Sequence, residues 1–523
     1  MTFMKQMVAP DQLIGKVYKA LKPSWKTAFI SAVVIGIVTH IYALTNTLLT
    51  WDSMWNLYSD QDMLSSGRPF LTYMCGISSY FNLPLVNGLL GILFLGITAA
   101  VIVEIFHIES PIFIVLTSGM LVTFPTIAST ICYMYTFDGY MLALLLSTLA
   151  FLVTDRKKHG WMLGAVLLAL SIGTYQAYMS FTIVICILTL LLELIEEDSI
   201  KVIWIKIRND MTMGIVGYVL YVISVKVMQA VKNVELSGYS GTDRIDSIVI
   251  SDIPRGIYEA YHNFASFAFS GNVLTTNGFM AIAFYVIILL CVVMYIIAFV
   301  KNGRLKRVDR MVLAVLLVVF LPLGATIVCV MFPDTFVYLL LRMPWALLFI
   351  FGIVLAERYT LRMCMFQEKP AIACQWICVV STFVMVFNFF LMSNIAYYNM
   401  NERYEKSYSL CLRIVDRIEQ MEEYHPWVKV AFVGGFPDYN KYPTTEATLE
   451  VLRGYYASRS DYVLDKTDSY VSFMKHYLNV SLLEATDEEE STLSQMETVQ
   501  NMGTFPAQDS VRMVDGILVI KMR

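Results

Sequence analysis

GFMAIAFYVIILLCVVMYIIAFV, residues 278–300, contains no charged side chain and no proline. As a helix its 23 residues reach about 34 Å, enough to cross a hydrocarbon core of about 30 Å. Backbone amides cannot stay unpaired in lipid, so the stretch crosses as a helix packed among others. Ten more stretches of similar character flank it, at 26–49, 84–106, 111–132, 139–154, 160–175, 178–195, 210–230, 311–331, 335–356 and 373–397. Composition agrees, with 57% hydrophobic and 15% charged residues and a mean hydropathy of +0.61. The fold class is an α-helical polytopic membrane protein of about eleven transmembrane helices.

Short loops rich in Lys and Arg lie on the cytoplasmic side. With the N-terminus inside, nineteen such residues fall in inner segments, from Lys5 through Arg156, Lys206 and Arg310 to Lys369. Four fall outside: Arg68, Lys232, Arg244 and Arg255. The pair 160–175 and 178–195 is short and almost fused, but merging the two would invert every later loop and spoil this asymmetry. Eleven spans then place the region after Tyr398 outside.

Residues 1–25 carry lysines and no cleavable signal. Leu13, Ile14, Val17, Tyr18 and Leu21 recur at helical spacing, as in a helix lying on the inner membrane face. Residues 26–398 form the bundle, with external loops at 50–83 and 231–277 and tight turns near Tyr135, Tyr175 and Pro333. Residues 399–523 have a soluble composition and suit one small external α/β domain. In it, residues 402–422 predict an amphipathic helix with Tyr408, Leu412, Val415 and Ile418 on one face. Val428–Val433 and Ile517–Met522 read as strands, the first ended by Gly434-Gly435. Thr445–Tyr455 reads as a helix and Thr486–Thr498 as a polar loop. Nine cysteines without a CxxC support neither a disulfide framework nor a zinc site. A net charge of −4 with no basic patch excludes nucleic acid as a partner.

The first external loop carries the most informative polar residues: Trp51-Asp52-Ser53, Asp60, Asp62 and Ser66-Gly67-Arg68-Pro69. Pro69 suits the first position of a helix over about 69–80, whose free N–H groups beside Arg68 would form an anion site. Asp52, just past the first span, is placed to act as a general base near such an anion. The plainer alternative makes Asp52 a helix cap and Arg68 a side chain reaching for headgroups. Arg342, about two turns inside the tenth span, is costly there unless it has a task. Lys226 lies close enough to the surface to snorkel. Tyr135 and Asp138 in one external turn, and Tyr175 and Gln176 in another, offer stacking surfaces and hydrogen bonds suited to a sugar. Tyrosine belts at membrane interfaces offer the same residues without that purpose.

Asp52 in this position, Ser66-Gly67-Arg68 and the Gly173-Thr174-Tyr175-Gln176-Ala177 turn make the chain resemble the bacterial membrane glucosyltransferases of phage serotype conversion. The likeness covers roughly 30–400 and leaves the C-terminal domain unexplained. It implies a GT-C-like bundle in a bacterial cytoplasmic membrane and a polyprenyl-phosphate sugar donor. It also implies a catalytic carboxylate in the first external loop and a surface polysaccharide or glycolipid acceptor. The family pattern often has two adjacent acids where this chain has Asp52-Ser53, so Asp60 and Asp62 remain alternative positions. On this reading Asp52 and Asp138 are the catalytic candidates. Arg68, Arg342, Asp60, Asp62, Tyr135, Tyr175 and Gln176 are the substrate-binding ones. No cofactor is required, although loop carboxylates leave room for a divalent metal. The rival classes are a lipid-linked oligosaccharide flippase or other carrier, and a polysaccharide polymerase. A carrier would put its polar groups near the membrane midplane, whereas here they gather at the outer ends of the spans.

Overall fold

The computed structural model describes residues 9–237, 250–269, 274–331, 337–362, 367–435 and 463–523. The predicted helix at Thr445–Tyr455 and the turn at Pro333 lie outside the described residues. The chain runs through α1 (Pro10–Ala20), α2 (Pro23–Thr45), α3 (Trp51–Trp55), α4 (Leu71–Cys75), α5 (Pro84–Phe106), α6 (Pro111–Thr123) and α7 (Pro125–Ile131). It continues through α8 (Met134–Arg156), α9 (Gly160–Ile172), α10 (Tyr178–Glu196), α11 (Ile200–Lys232), α12 (Ile253–Phe269) and α13 (Gly278–Lys301). After these come α14 (Val308–Ala325), α15 (Val328–Met331), α16 (Pro344–Ala356) and α17 (Glu368–Glu419).

Among the described residues nine helices are long and apolar enough to cross a membrane: α2, α5, α8, α10, α11, α13, α14, α16 extended to Leu361, and α17. The pair α6 and α7, bent by 42°, makes a tenth. The bend sits at Phe124, which Pro125 holds in an extended conformation at ψ 137°. The eleventh predicted stretch is helical too, but α9 has only 13 residues. At about 20 Å against about 34 Å for its neighbour α8, it ends well short of the bundle end at which α8 starts. The chain therefore dips there, and that dip receives the loop between α2 and α5. Close approach is built from small residues: a Cβ on Gly96 of α5 would sit 2.9 Å from Phe29 of α2.

Opposite ends of the bundle differ in charge. At one end Lys22 meets Glu104 at 2.8 Å, Lys206 bridges Glu193 and Asp155, Arg304 meets Asp198 and Arg358 meets Glu196. These cations all belong to the segments that charge counting places inside. Arg68 and Lys232 lie at the other end.

The predicted span 373–397 and the amphipathic helix after it are one 52-residue helix, α17. It passes unbroken through residues 398–399, so bundle and C-terminal region share a helix rather than a linker. Its buried face there is Leu410, Cys411, Ile414, Val415 and Ile418, whereas Tyr408 and Leu412 are exposed. Beyond it, β1 (Lys429–Val433), α18 (Thr467–Tyr477), β2 (Leu483–Glu484), α19 (Asp487–Gln495), α20 (Glu497–Gln500), β3 (Val511–Val514) and β4 (Ile517–Lys521) complete the domain. The sheet order is β2-β1-β4-β3, with β1 parallel to β2 and β4 and a β3–β4 hairpin. Both strands expected from the sequence form. Gly434 and Gly435 end β1 at φ +93° and +60°. The expected polar loop at 486–498 is instead α19 and the start of α20. Thr486 and Glu489 close a reciprocal cap on the acidic first turn, and Glu489 also holds Lys429 at 2.7 Å. Leu49, just past α2, and Met54 of α3 pack into the core of this domain, beside Leu410, Phe432, Phe473 and Ile520. The C-terminal domain therefore stands at the same end of the bundle as that loop.

Candidate functional site

The site is organised around Arg68. Residues 69–80 do not form the single helix expected. Pro69 lies in a turn, α4 covers only five residues, and Ser79 and Tyr80 break the backbone at positive φ. The N–H of Phe70 is spent on the carbonyl of Gly173 at 3.0 Å, so a helix N-terminus does not supply the anion site. Side chains do. Gly67 adopts φ +69°, which turns Arg68 down into the dip left by α9. Gln176 donates from Nε2 to the carbonyls of Ser66 and Gly67 at 2.9 and 3.1 Å, and the Tyr221 hydroxyl donates to Gly67 at 2.9 Å. A Cβ on Gly173 would meet the Phe70 ring at 2.5 Å, so the loop and this turn need a glycine to fit together.

The guanidinium is held by neutral groups. Nη1 donates to the Tyr140 hydroxyl at 2.9 Å and Nε to Gln176 Oε1 at 3.3 Å. It lies 5.2 Å from the centroid of the Tyr175 ring, which stacks on Tyr140 at 4.2 Å. Tyr140 is about 9 Å along α8 from Met134, so Arg68 sits within the first turns of the bundle at that end. No described carboxylate pairs with it.

Asp52 lies in α3, where Thr50, not Asp52, is the cap: Ser53 N donates to Thr50 Oγ1 and Thr50 N to Ser53 Oγ. Its carboxylate has no hydrogen bond to a described residue. It is open to solvent on one side, and crowding by protein on the other raises it above the ordinary aspartate value. Asp52 and Arg68 both act electrostatically on the Tyr135 and Tyr140 hydroxyls, which places them around one neighbourhood without direct contact. On the far side of α3, Arg403 of α17 donates to the carbonyl of Leu49.

The remaining expected residues are placed differently. Tyr135 and Asp138 are in α8 rather than in a turn, the chain turning earlier at Cys132-Tyr133. Asp138 is 1% exposed and lies under the loop, not on a rim. It accepts from Asn87 Nδ2 at 3.4 Å, beside Cys75 and Ser78, and its second oxygen meets no hydrogen-bond donor in good geometry among the described residues. Tyr135 and Tyr175 are buried walls rather than an open vestibule. Asp60 accepts from the N–H of Asp62, and Asp62 pairs with Lys232 at 2.6 Å, tying the loop to α11. Asp52, Asp60 and Asp62 do not converge as a donor set, and no metal-binding group of three forms among the described residues.

Arg342 precedes α16 instead of lying two turns within a span. It donates to the carbonyl and side chain of Asn263 in α12 at 2.8 and 3.1 Å and covers Phe267 at 4.9 Å. It shares no contact with Arg68. Tyr221, bonded to Gly67, belongs to a packed cluster against which Leu341, beside Arg342, also packs. Tyr140 and Tyr221 are site residues that sequence reading missed. Their one signal was a hydroxyl within a largely apolar span.

A family model described as Glucosyl transferase GtrII matches residues 41–340, from the end of the first span to just before Arg342. No curated protein and no solved structure matches the chain.

Proposed function

Because the chain belongs to the GtrII family of glucosyl transferases, we propose that it moves a hexose, glucose by family, from a polyprenyl-phosphate donor to a surface polysaccharide or glycolipid. The reaction takes place at the outer face of a bacterial cytoplasmic membrane. The observation that carries this reading is Arg68: a cation about 9 Å along α8 from Met134, seated on Tyr140 and Tyr175, with no described acid to neutralise it. Such a charge is costly unless an anion completes it, and a lipid phosphate arrives at that depth. Asp52 takes the proton of the acceptor hydroxyl as its oxygen attacks the anomeric carbon. The bond from that carbon to the phosphate oxygen breaks, and polyprenyl phosphate leaves with the electron pair, inverting the centre. Arg68, with Arg342 as a second contact, stabilises the leaving charge where water is scarce. Tyr135, Tyr175 and Gln176 border the hexose, and the C-terminal domain stands over the acceptor side. The test is transfer of labelled hexose from a polyprenyl-phosphate donor by purified full-length protein in liposomes. Label in the polysaccharide supports the reading. Label carried intact across the bilayer on its lipid, without transfer, replaces it with the carrier reading.

A further inference from the structure

Arg68 and Asp52 are held by different parts of the chain. Arg68 rests on Tyr140 of α8, on Gln176 and, through Gly67, on Tyr221 of α11, all within the matched stretch 41–340. Asp52 rides on α3, whose five residues are too few to hold a helix by themselves. Support for α3 comes from beyond that stretch. Arg403 of α17, 3% exposed, donates from Nη2 to the carbonyl of Leu49, a buried residue in the coil between α2 and α3. A buried guanidinium and a buried carbonyl outside any helix or strand each need a partner, and this bond supplies one to both. Two residues past Asp52, Met54 enters the core cluster that holds Phe473 of α18, and α18 packs against α3. The chain leading into α3 is fastened to α17 as well. The His40 ring and the Tyr397 hydroxyl are hydrogen-bonded at 2.8 Å, and Asn394 Nδ2 donates to the Thr39 carbonyl at 3.2 Å.

We propose that Arg403 is a positioning residue for Asp52. Its bond to Leu49 fixes the entry to α3, Met54 fixes the exit, and the carboxylate between them keeps its place relative to Arg68. The C-terminal region, α17 included, then serves the reaction by setting the gap between the base and the arginine that holds phosphate. The proposal rests on the reading of Asp52 as the base and adds what keeps that base in place.

Arg403→Met and Arg403→Lys are made in full-length protein, each with Asp52 present and with Asp52→Asn, and assayed in liposomes for transfer of labelled hexose from a polyprenyl-phosphate donor. With Asp52 present, Arg403→Met should lower kcat about ten- to hundredfold at nearly unchanged donor KM, the scale of a misplacement near 1 Å. Arg403→Lys still offers a donor to the carbonyl and should recover most of the loss. With Asp52→Asn, Arg403→Met should cost almost nothing further, because residues that act as a unit are not additive. Hydrogen exchange supplies a readout apart from activity: residues 49–55 should exchange faster in Arg403→Met and at the native rate in Arg403→Lys, with 66–71 unchanged in both. If Arg403→Met does not fold, Met54→Ala, which loosens the exit of α3 from the domain core, carries the same expectation. An equal loss of kcat in both backgrounds, or unchanged exchange at 49–55, overturns the proposal. Faster exchange at 49–55 together with full transfer in Asp52→Asn would remove Asp52 as the base and leave the seating of α3 by Arg403 standing.

Discussion

A carboxylate that neither caps its helix nor pairs with a base is free to take a proton, and Asp52 is in that condition because Thr50 and Ser53 cap α3 between themselves. Crowding raises its carboxyl above the usual aspartate value of about 3.9. The base must be ionised to work, so activity is lost as pH falls through this raised value. The acid limb of kcat/KM should therefore stand above the ordinary aspartate range, and a limb at or below it would assign the base elsewhere. The residues legible in the sequence were those with unusual chemistry for their place, Asp52 and Arg68. Tyr140 and Tyr221 were not legible, because a tyrosine within a span reads as part of an apolar run until its hydroxyl finds a partner. Asp138 was misplaced for a related reason. Its acid was obvious, but only the fold shows it covered by Cys75, Ser78 and Asn87.

At the scale of elements, the loop from Met63 to Leu71 owes its shape to contacts distant in sequence. Gln176, Tyr221 and Gly173 bind its carbonyls and its Phe70 N–H, and a helical pattern beginning at Pro69 could not reveal them. Gly67→Ala tests this arrangement. A side chain at φ +69° costs roughly 1–2 kcal/mol, strain that the loop can relieve only by moving Arg68. Donor KM should rise several-fold with kcat nearly unchanged, and an unaltered KM would mean that the loop does not set the arginine. Apolar helices were readable from hydropathy alone, and so were β1 and β4, which alternate with turn glycines. Helix length was less so: α9 stops short and α17 runs on. Neither the short helix nor the missing break at 398–399 changes composition enough to mark it.

For the whole molecule, the bundle, the Arg68 loop and the C-terminal domain share one end, with Leu49 and Met54 inside the domain core. The cationic ring of Lys22, Arg304 and Arg358 lies at the other. If charge sets orientation, a cysteine at exposed Ser491 should react with an impermeant thiol reagent in intact spheroplasts, and one at exposed Lys157 only after lysis. The reverse pattern would turn the site to the cytoplasm. Transfer of labelled hexose from a polyprenyl-phosphate donor, read beside donor binding in Asp52→Asn and Arg68→Ala, tests the central claim most directly. Asp52→Asn should lower transfer about 10²–10⁴-fold with donor binding retained, the usual worth of a general base. Arg68→Ala should weaken donor binding instead. Full transfer and normal donor binding in both variants would contradict the account.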